Sequence, residues 1–169
     1  MKLVIAGTRD FADSLGMFVD SGAEVVENAL ARDALPSPGE IDTVLSGEAK
    51  GPDQWGEAFA DAHGIDVERY PPQWDKHEDD RKPAPYYRNR AMAVQGDALL
   101  AFWDGKSGGT RHMIDKSQEE GITKHVVRMD DKSTRYAMLK GDDVRAKINT
   151  YVPDTPNQDL TEIAKTVSD

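Results

Sequence analysis

The sequence predicts an α/β protein, a three-layer sandwich with a mostly parallel five-stranded sheet. Five short apolar runs alternate with longer segments whose apolar residues recur at helical spacing, and the connections between them are short. Several of the runs are continuously apolar, which suits strands that are buried on both faces. With 169 residues, the chain is long enough for one domain with a sizeable core.

The first part of the chain predicts two strands and one long helix. Residues 2–6, KLVIA, predict the first strand. Residues 13–34 predict a helix, because their apolar residues recur about every 3.6 positions and no proline interrupts them. The prolines and glycine of 35–42, LPSPGEID, predict a loop, and 43–47, TVLSG, predict the second strand with a glycine turn at its end.

The middle of the chain predicts a helix, a strand and a long loop. DQWGEAFADAHG, residues 53–64, predicts a helix with Asp53 as its N-cap and Gly64 at its C-terminal end. DVERY, residues 66–70, alternates between polar and apolar residues and predicts the third strand. The proline-rich and highly charged residues 71–85 predict a loop.

The following segments complete the alternation of strands and helices. Residues 86–96 and 109–120 predict helices, while ALLAFW at 98–103 and HVVRM at 125–129 predict the fourth and fifth strands. Because short β-α connections favour parallel strands covered by helices, we expect a Rossmann-like domain over residues 1–130.

The end of the chain has a different character. Residues 131–169 are more polar and hold two short helical patterns separated by VPDTPNQ. We expect a helical C-terminal extension that packs on the preceding domain or on a second subunit, so a homo-oligomer is left open.

Composition excludes several classes of protein. The net charge of −10 disfavours binding to the phosphate backbone of nucleic acids, which needs clustered Lys and Arg. The chain has no cysteine, which excludes disulfides, thiolate metal sites and a cysteine nucleophile. It has neither an apolar run of membrane-spanning length nor a signal peptide, so we expect a cytoplasmic protein. The four histidines show no ligand spacing, and we expect no metal and no cofactor.

Glycine and polar residues gather directly after the first, second and fourth predicted strands. The three segments are AGTRDF at 6–11, SGEAKGPD at 46–53 and DGKSGGT at 104–110. Ligands of open α/β sheets bind at the carboxyl ends of the strands, and glycines let backbone N–H groups approach them. Because helix N-termini attract anions, the three loops together predict a pocket for a phosphate-bearing ligand.

The Gly-Lys-Ser at 105–107 resembles part of a P-loop, but the remainder of that motif is missing. A P-loop places its first glycine where this chain has Leu100, inside the fourth predicted strand. Gly108, Gly109 and Thr110 instead stand at a helix start, where they can cradle a phosphate. Lys106 either points at that phosphate or lies in solvent.

Five segments in order carry a family resemblance: VIAGTRDF, VLSGEAKGPDQWGEAFA, YPPQWDKH, PYYRNRAM and AFWDGKSGGTRHMI. They resemble the YspA-type, YpsA-related branch of the SLOG superfamily, which also holds the Smf/DprA proteins and the LOG phosphoribohydrolases. The resemblance covers about residues 1–129. It implies a Rossmann-like fold and a nucleotide or nucleotide-derived, ADP-ribose-like ligand. Branch members are often encoded by phages or prophages, which implies the cytoplasm of an infected host cell.

The resemblance also implies a set of ligand-binding residues, carried over by position. They are Gly7, Thr8, Arg9, Ser46, Gly47, Gly51, Asp53, Trp74, Arg88, Asn89, Asp104, Gly105, Gly108, Gly109 and Thr110. Arg88 and Asn89 match an Arg-Asn pair at a helix start, where a guanidinium suits phosphate. Trp74 either stacks on a base or ribose or holds down the long loop. Tyr86 and Tyr87 replace smaller residues of the family, and so narrow the approach or add a stacking surface.

The comparison with the LOG phosphoribohydrolases argues against the LOG mechanism in this chain. LOG enzymes carry Pro-Gly-Gly-x-Gly-Thr-x-x-Glu, and this chain has Met113 at the glutamate position. Methionine cannot stabilise the positive charge that develops on ribose when a base departs. Asp53 and Asp104 are the alternative catalytic carboxylates, although each can instead cap a helix or lie at the surface.

Three functions remain open at this point. The first is a module that senses or sequesters a nucleotide or an ADP-ribose-like signal. The second is an N-glycosidase or phosphoribohydrolase-type enzyme that uses Asp53 or Asp104. The third is a DprA-like partner of single-stranded DNA, which rests on fold analogy alone and which the acidic composition disfavours.

Overall fold

The computed structural model describes residues 1–11, 19, 21–31, 36–74, 83–131 and 134. Within these residues the strands are β1 Lys2–Gly7, β2 Thr43–Ser46, β3 Asp66–Arg69, β4 Ala98–Trp103 and β5 Thr123–Arg128. The α-helices of the same ranges are α1 Gly22–Leu30, α2 Pro52–His63, α3 Pro83–Gln95 and α4 Gly108–Glu119. A short 3-10 turn, Pro38–Glu40, precedes β2.

The five strands form one sheet in the order β3-β2-β1-β4-β5, and every neighbouring pair is parallel. The predicted α/β class with its five-stranded sheet is therefore confirmed, and the sheet is parallel throughout. β1 lies at the centre, with Val4 paired to Leu45 of β2 on one side and to Leu99 of β4 on the other. Its continuous apolar run is explained by this position, because Leu3, Val4 and Ile5 are fully buried.

Alternate residues of β1 enter two separate cores, one on each face of the sheet. Leu3 and Ile5 pack in a core with Val26 of α1 and Phe59 of α2. Val4 and Ala6 pack in a second core with Met92 of α3 and Met113 of α4. Helices therefore cover both faces, which confirms the three-layer arrangement.

The helix predicted over residues 13–34 does not run through Ser21. Ser21 is extended, at φ −138° and ψ 108°, and its side chain accepts a hydrogen bond from the amide of Glu24, so it caps α1. One continuous helix over 13–34 is therefore wrong, although residues 12–18, 20 and 32–35 lie outside the described part of the chain. The helical spacing of apolar residues continues across Ser21, so the sequence pattern does not reveal the N-cap at this position.

Asp53 is not the N-cap of α2, contrary to prediction. Gly51 is the cap and Pro52 is the first helical residue, which leaves Asp53 inside the first turn. Proline favours this position because it lacks the N–H that a first-turn residue would leave unpaired. At the other end, the prediction is confirmed: Gly64 ends the helix in the left-handed conformation at φ 65°.

α3 begins at Pro83, inside the segment that was predicted to be a loop. Residues 75–82 of that segment lie outside the described residues, as does almost all of the predicted C-terminal extension. The division into a 1–130 domain and a 131–169 extension therefore stays a prediction. Among the described helices, none has both the length and the apolar character required to cross a membrane.

Candidate functional site

The strand order places three loops side by side. β1 leads to β2 and β3 on one side and lies against β4 and β5 on the other, so the order reverses between β1 and β4. Crevices outside the carboxyl ends of strands at such a reversal are the usual ligand sites of open α/β sheets. A cavity of about 310 Å³ opens here, and residues that follow β1, β2 and β4 line it.

The floor of this cavity is apolar. It includes Ala6, Met92 and Met113, which also belong to the core between the sheet and helices α3 and α4. Both methionines are only 1% exposed. Met113 stands where the LOG resemblance has its glutamate, so the carboxylate of that motif is replaced here by part of the floor.

The loops after β1 and β4 are joined by Thr8 and Asp104. The Thr8 hydroxyl donates to Asp104 Oδ1 at 3.2 Å and accepts from the Asp104 amide at 3.1 Å. The same Oδ1 accepts the amides of Ser107 at 2.7 Å and Lys106 at 2.9 Å. Neither Thr8 nor Asp104 is among the lining residues, whereas Gly7 and Arg9 are.

These hydrogen bonds keep Asp104 ionised. Burial alone would raise the pKa of Asp104, but the amides of Ser107 and Lys106 and the Thr8 hydroxyl outweigh it. Its pKa therefore lies below the ordinary value of a carboxyl group. Asp104 shapes the turn that leads into α4, as an aspartate commonly does at a turn.

The first turn of α4 forms one wall of the cavity. Ser107 caps the helix with its side chain, and Ser107, Gly109 and Thr110 line the cavity. A Cβ on Gly108 or on Gly109 would meet no atom within 4 Å, so the glycines leave open space at the helix end. Gly105 does not line the cavity. It adopts φ 80°, and a Cβ there would lie 2.4 Å from Arg128 Nη2, so the turn requires glycine.

The loop after β2 contributes Gly47, Glu48 and Ala49, and the first turn of α2 contributes Asp53. Asp53 is 4% exposed and its Oδ2 accepts the amide of Ala49 at 3.2 Å. Burial raises the pKa of Asp53 to about 6, although the amide of Ala49, the charge of Arg88 and the amide of Gly47 oppose the rise. This is the single carboxyl of the described residues whose pKa is raised so far.

Ser46 and Gly51 support this loop from outside the cavity lining. The Ser46 hydroxyl is buried, donates to Glu57 Oε1 at 2.7 Å and accepts the amide of Glu48 at 3.1 Å. Gly51 adopts φ 81°, and a Cβ there would lie 2.9 Å from the carbonyl oxygen of Arg9. The loops after β1 and β2 therefore approach each other at Gly51.

Arg88 and Asn89 of α3 line the cavity from the second turn of the helix, not from its start as predicted. Arg88 Nη1 donates to the carbonyl oxygens of Gly47 and Tyr70, and its Nε donates to Asn89 Oδ1 at 3.1 Å. A Cβ on Gly47 would lie 2.5 Å from Arg88 Nη1 and 2.8 Å from Asp53 Oδ2. Glycine is therefore required at 47 for the arginine to reach the loop.

Asn89 connects α3 to the first turn of α4. Its Nδ2 donates to the carbonyl oxygen of Gly109 at 3.2 Å and contacts His112 Nδ1 at 3.3 Å. Its Oδ1 accepts from Arg88, and the residue is only 6% exposed. The amide thus has three partners within the protein, which hold the helix terminus and the arginine next to each other.

Aromatic side chains lie at the rim. Trp74 lines the cavity and is 39% exposed. Tyr86 does not line it and instead stacks on His112, with ring centroids 4.2 Å apart and planes inclined by 17°. Burial lowers the pKa of His112, with a smaller contribution from the Lys116 charge. Tyr87 is exposed and also lies outside this cavity.

Several lining residues were not predicted from sequence. They are Ala6, Glu48, Ala49, Pro72, Pro85, Met92 and Ser107. Two carried a usable signal: Glu48 lies between glycines in the SGEAKG loop, and Met92 follows Arg88 by one helical turn. Glu48 adopts φ 60°, a conformation that is uncommon for residues other than glycine.

The cavity wall mixes charges of both signs. Arg9 and Arg88 contribute cations, and Glu48 and Asp53 contribute carboxyl groups. Among the residues that the structure describes, no group of three or more His, Asp or Glu side chains is arranged to hold a metal ion.

Comparison with known proteins gives one family match. A family model described as "YAcAr: YspA, cpYpsA-related SLOG family" matches residues 1–77, the segment that contains β1, β2 and β3 and the loops after β1 and β2. No curated protein and no solved structure matches the chain. Arg88, Asn89 and the turn into α4 lie beyond the matched segment. Over residues 1–77, less than half of its length, the chain is therefore similar to the YspA, cpYpsA-related SLOG family.

Proposed function

We propose that the protein binds a nucleotide or a nucleotide-derived, ADP-ribose-like ligand in the cavity between the three loops, as a sensor or sequestering module. The observation that carries this proposal is the open first turn of α4, with Gly109 and Thr110 lining the cavity beside Arg88. The family match of residues 1–77 supports a nucleotide-related function in general terms.

The first turn of α4 suits a phosphate for two reasons. The first N–H groups of a helix have no acceptor within the helix, and the helix dipole places partial positive charge at that end. Gly108 and Gly109 keep side chains out of the space in front of these groups. Arg9 and Arg88 add positive charge to the same cavity. A phosphate is therefore expected at this terminus.

The rest of the cavity suits the nucleoside part. Its volume of about 310 Å³ lies at the small end of the range for ligand pockets. The apolar floor of Ala6, Met92 and Met113 accommodates a flat base, and the exposed indole of Trp74 offers a stacking surface. Trp74 is thus proposed as a ligand contact.

Binding without turnover is favoured because the floor carries Met113 where LOG enzymes have a carboxylate. A second candidate function, hydrolysis of a nucleotide N-glycosidic bond, is favoured by one observation. Asp53 is a buried carboxyl in the cavity wall with a pKa of about 6, a value typical of acid-base groups. Asp104 is a weaker candidate, because its Oδ1 is occupied by three hydrogen bonds.

Calorimetric titration with the four nucleoside monophosphates, the corresponding diphosphates, NAD and ADP-ribose tests the binding proposal. We expect saturable binding of at least one of these compounds, weaker at high salt because charge contributes to it. Absence of binding across the whole panel would contradict the proposal.

Chromatography of the same compounds after incubation with the protein tests the second candidate. Release of a free base by the wild type and its loss in Asp53→Asn would establish hydrolysis. Unchanged substrates at high protein concentration would reject it and leave the binding module.

A further inference from the structure

Trp103, the last residue of β4, contacts the first turn of α4 without lining the cavity. The half-buried indole donates a hydrogen bond from Nε1 to the carbonyl oxygen of Ser107 at 3.1 Å. Ser107 is the N-cap of α4, where the phosphate is proposed to bind. Trp103 therefore touches the phosphate site from outside the cavity, and the role inferred for it below rests on the proposed function.

The Ser107 carbonyl and the Gly108 amide belong to one peptide group. A peptide group is planar and trans, so its C=O and its N–H point in opposite directions. A donor that holds the Ser107 oxygen on one side consequently directs the Gly108 N–H to the other side. The hydrogen bond from Trp103 thus sets the direction of an N–H group with which it has no contact.

The Gly108 N–H is one of two amides at this helix start that are left for a ligand. Within the described residues, the N–H groups of Gly108 and Gly109 have no acceptor, as is usual for the first residues of a helix. The next amide, that of Thr110, lies 3.5 Å from Ser107 Oγ, and the amide of Arg111 donates to the Ser107 carbonyl oxygen at 3.1 Å. That oxygen therefore accepts two hydrogen bonds, one from the helix and one from Trp103.

Trp103 continues an alignment of peptide groups that Asp104 begins. The Oδ1 atom of Asp104 accepts the amides of Lys106 and Ser107, which orients the two peptide groups that precede the Ser107 carbonyl. The indole orients the following group, which carries the Gly108 N–H. Two side chains that are adjacent in sequence thus fix three successive peptide groups at the entrance to α4.

The edge strand β5 in turn fixes the indole. Arg128 is paired with Trp103 in the register of β4 and β5, and its guanidinium carbon lies 5.1 Å from the centroid of the Trp103 ring. The Asp130 carboxylate accepts from Arg128 Nε at 3.1 Å and from Nη2 at 2.9 Å, which holds the guanidinium over the ring. β5 therefore helps to orient a site that none of its own residues line.

We propose that Trp103 is a positioning residue of the phosphate site, which acts through the peptide group between Ser107 and Gly108 to direct the Gly108 N–H at the phosphate. A donor that is already oriented needs no reordering when the anion binds, so its orientation contributes to affinity. Without the indole N–H, the Ser107 oxygen retains the Arg111 amide as a partner. The fold is then kept, while phosphate recognition is weakened.

Trp103→Phe tests this role, because phenylalanine keeps an aromatic ring next to Arg128 and removes only the N–H donor and part of the ring. Trp55→Phe is the matched control: Trp55 of α2 packs against Phe11 and Phe102 and does not line the cavity. We expect the thermal midpoint of Trp103→Phe to lie within about 4 °C of that of the wild type.

Two measurements separate positioning from a general structural role. Calorimetry compares the nucleoside monophosphates and diphosphates, NAD and ADP-ribose with their parent nucleosides. In Trp103→Phe, affinity for the preferred nucleotide should fall by about tenfold and affinity for its nucleoside by less than about twofold, whereas Trp55→Phe binds both as the wild type does. In NMR titrations with inorganic phosphate, the Gly108 amide resonance should shift in the wild type and shift less than half as far in Trp103→Phe.

Three results would overturn this inference and leave the proposed function standing. They are wild-type nucleotide affinity in Trp103→Phe, equal losses for nucleotide and nucleoside in that variant, and a wild-type Gly108 resonance that phosphate leaves in place while it shifts that of Gly109. The last result needs no variant, so the test does not depend on the folding of Trp103→Phe. Absence of binding by every nucleotide to the wild type overturns both the inference and the proposed function.

Discussion

At the scale of single residues, two buried titratable groups respond to pH in opposite directions. Asp53, 4% exposed, has a pKa raised to about 6 by burial. His125, 1% exposed, has a pKa lowered to about 4, again by burial. Because both groups favour the neutral form in the folded state, their contributions to stability oppose each other between about pH 4 and 6.

Asp53→Asn separates the first of these contributions. The pKa of Asp53 is 3.8 in the unfolded state and about 6 in the folded state. The contribution of Asp53 to the stability of the fold is therefore fully present below pH 3.8 and is lost as the pH rises through about 6. Asparagine does not titrate. Relative to Asp53→Asn, the wild type should therefore lose up to about 3 kcal/mol in free energy of unfolding between pH 4 and 7. Urea denaturation at four pH values measures this loss, and a constant difference between the two proteins would contradict it.

His125→Leu isolates the second contribution. In the unfolded state His125 binds a proton below about pH 6.5, whereas in the folded state it stays neutral down to about pH 4. The stability of the wild type relative to His125→Leu should therefore fall by up to about 3 kcal/mol as the pH decreases from 6.5 to 4. The same denaturation series in both proteins measures the difference. A wild-type stability that stays constant or rises relative to that of His125→Leu as the pH decreases would refute the assignment.

At the scale of elements, the site depends on how helix α3 is fixed to helix α4. Arg88 reaches from α3 to the loop after β2, and Asn89 reaches from α3 to the first turn of α4. Since the amide of Asn89 has partners on both sides within the protein, we assign it a positioning role, in contrast to the ligand contact that the resemblance implies.

Asn89→Ala tests that role. Removing the amide leaves Arg88 Nε and the Gly109 carbonyl without these partners, which should lower the free energy of unfolding by about 1–2 kcal/mol. Nucleotide affinity should fall by about tenfold and nucleoside affinity much less, because Asn89 no longer holds the proposed phosphate-binding turn in place. Arg90→Ala, on the exposed side of the same helix, is the control. Equal losses for nucleotide and nucleoside would assign Asn89 a general structural role instead.

At the scale of the whole molecule, the strands were the most predictable part. Their continuous apolar runs in KLVIA and ALLAFW follow from burial on both faces, and the observed strands Lys2–Gly7 and Ala98–Trp103 start where these runs start. The meeting of the three glycine loops at one edge also follows from parallel strands. The reversal of strand order between β1 and β4, which opens the cavity, was not specified by the sequence pattern.

The unpredicted parts depend on contacts between elements that are distant in sequence. The hydrogen bonds of Asn89 exist only once α3 packs beside α4, and the burial of Asp53 depends on the loop that folds over it. Two helix starts do carry local signals: Pro52 marks the start of α2 more clearly than Asp53, and Ser107 caps α4. The pocket is consequently assembled from the family-matched segment, residues 1–77, and from residues 85–113, which lie beyond that match.

The central claim is that the first turn of α4 holds a phosphate, and Gly109→Asp tests it most directly. An aspartate there meets no neighbouring atom at Cβ and suits a helix N-terminus, so the variant should fold, but its carboxylate would repel a phosphate. Gly39→Asp is the matched control, because Gly39 is equally free of neighbours and precedes β2, at the amino end of the sheet.

The measurement is the calorimetric affinity of the wild type and both variants for the preferred nucleotide and for its nucleoside. We predict that Gly109→Asp weakens nucleotide binding by about a hundredfold or more and nucleoside binding by less than about threefold, while Gly39→Asp binds as the wild type does. Nucleotide binding by Gly109→Asp that equals that of the wild type would contradict the phosphate site at α4.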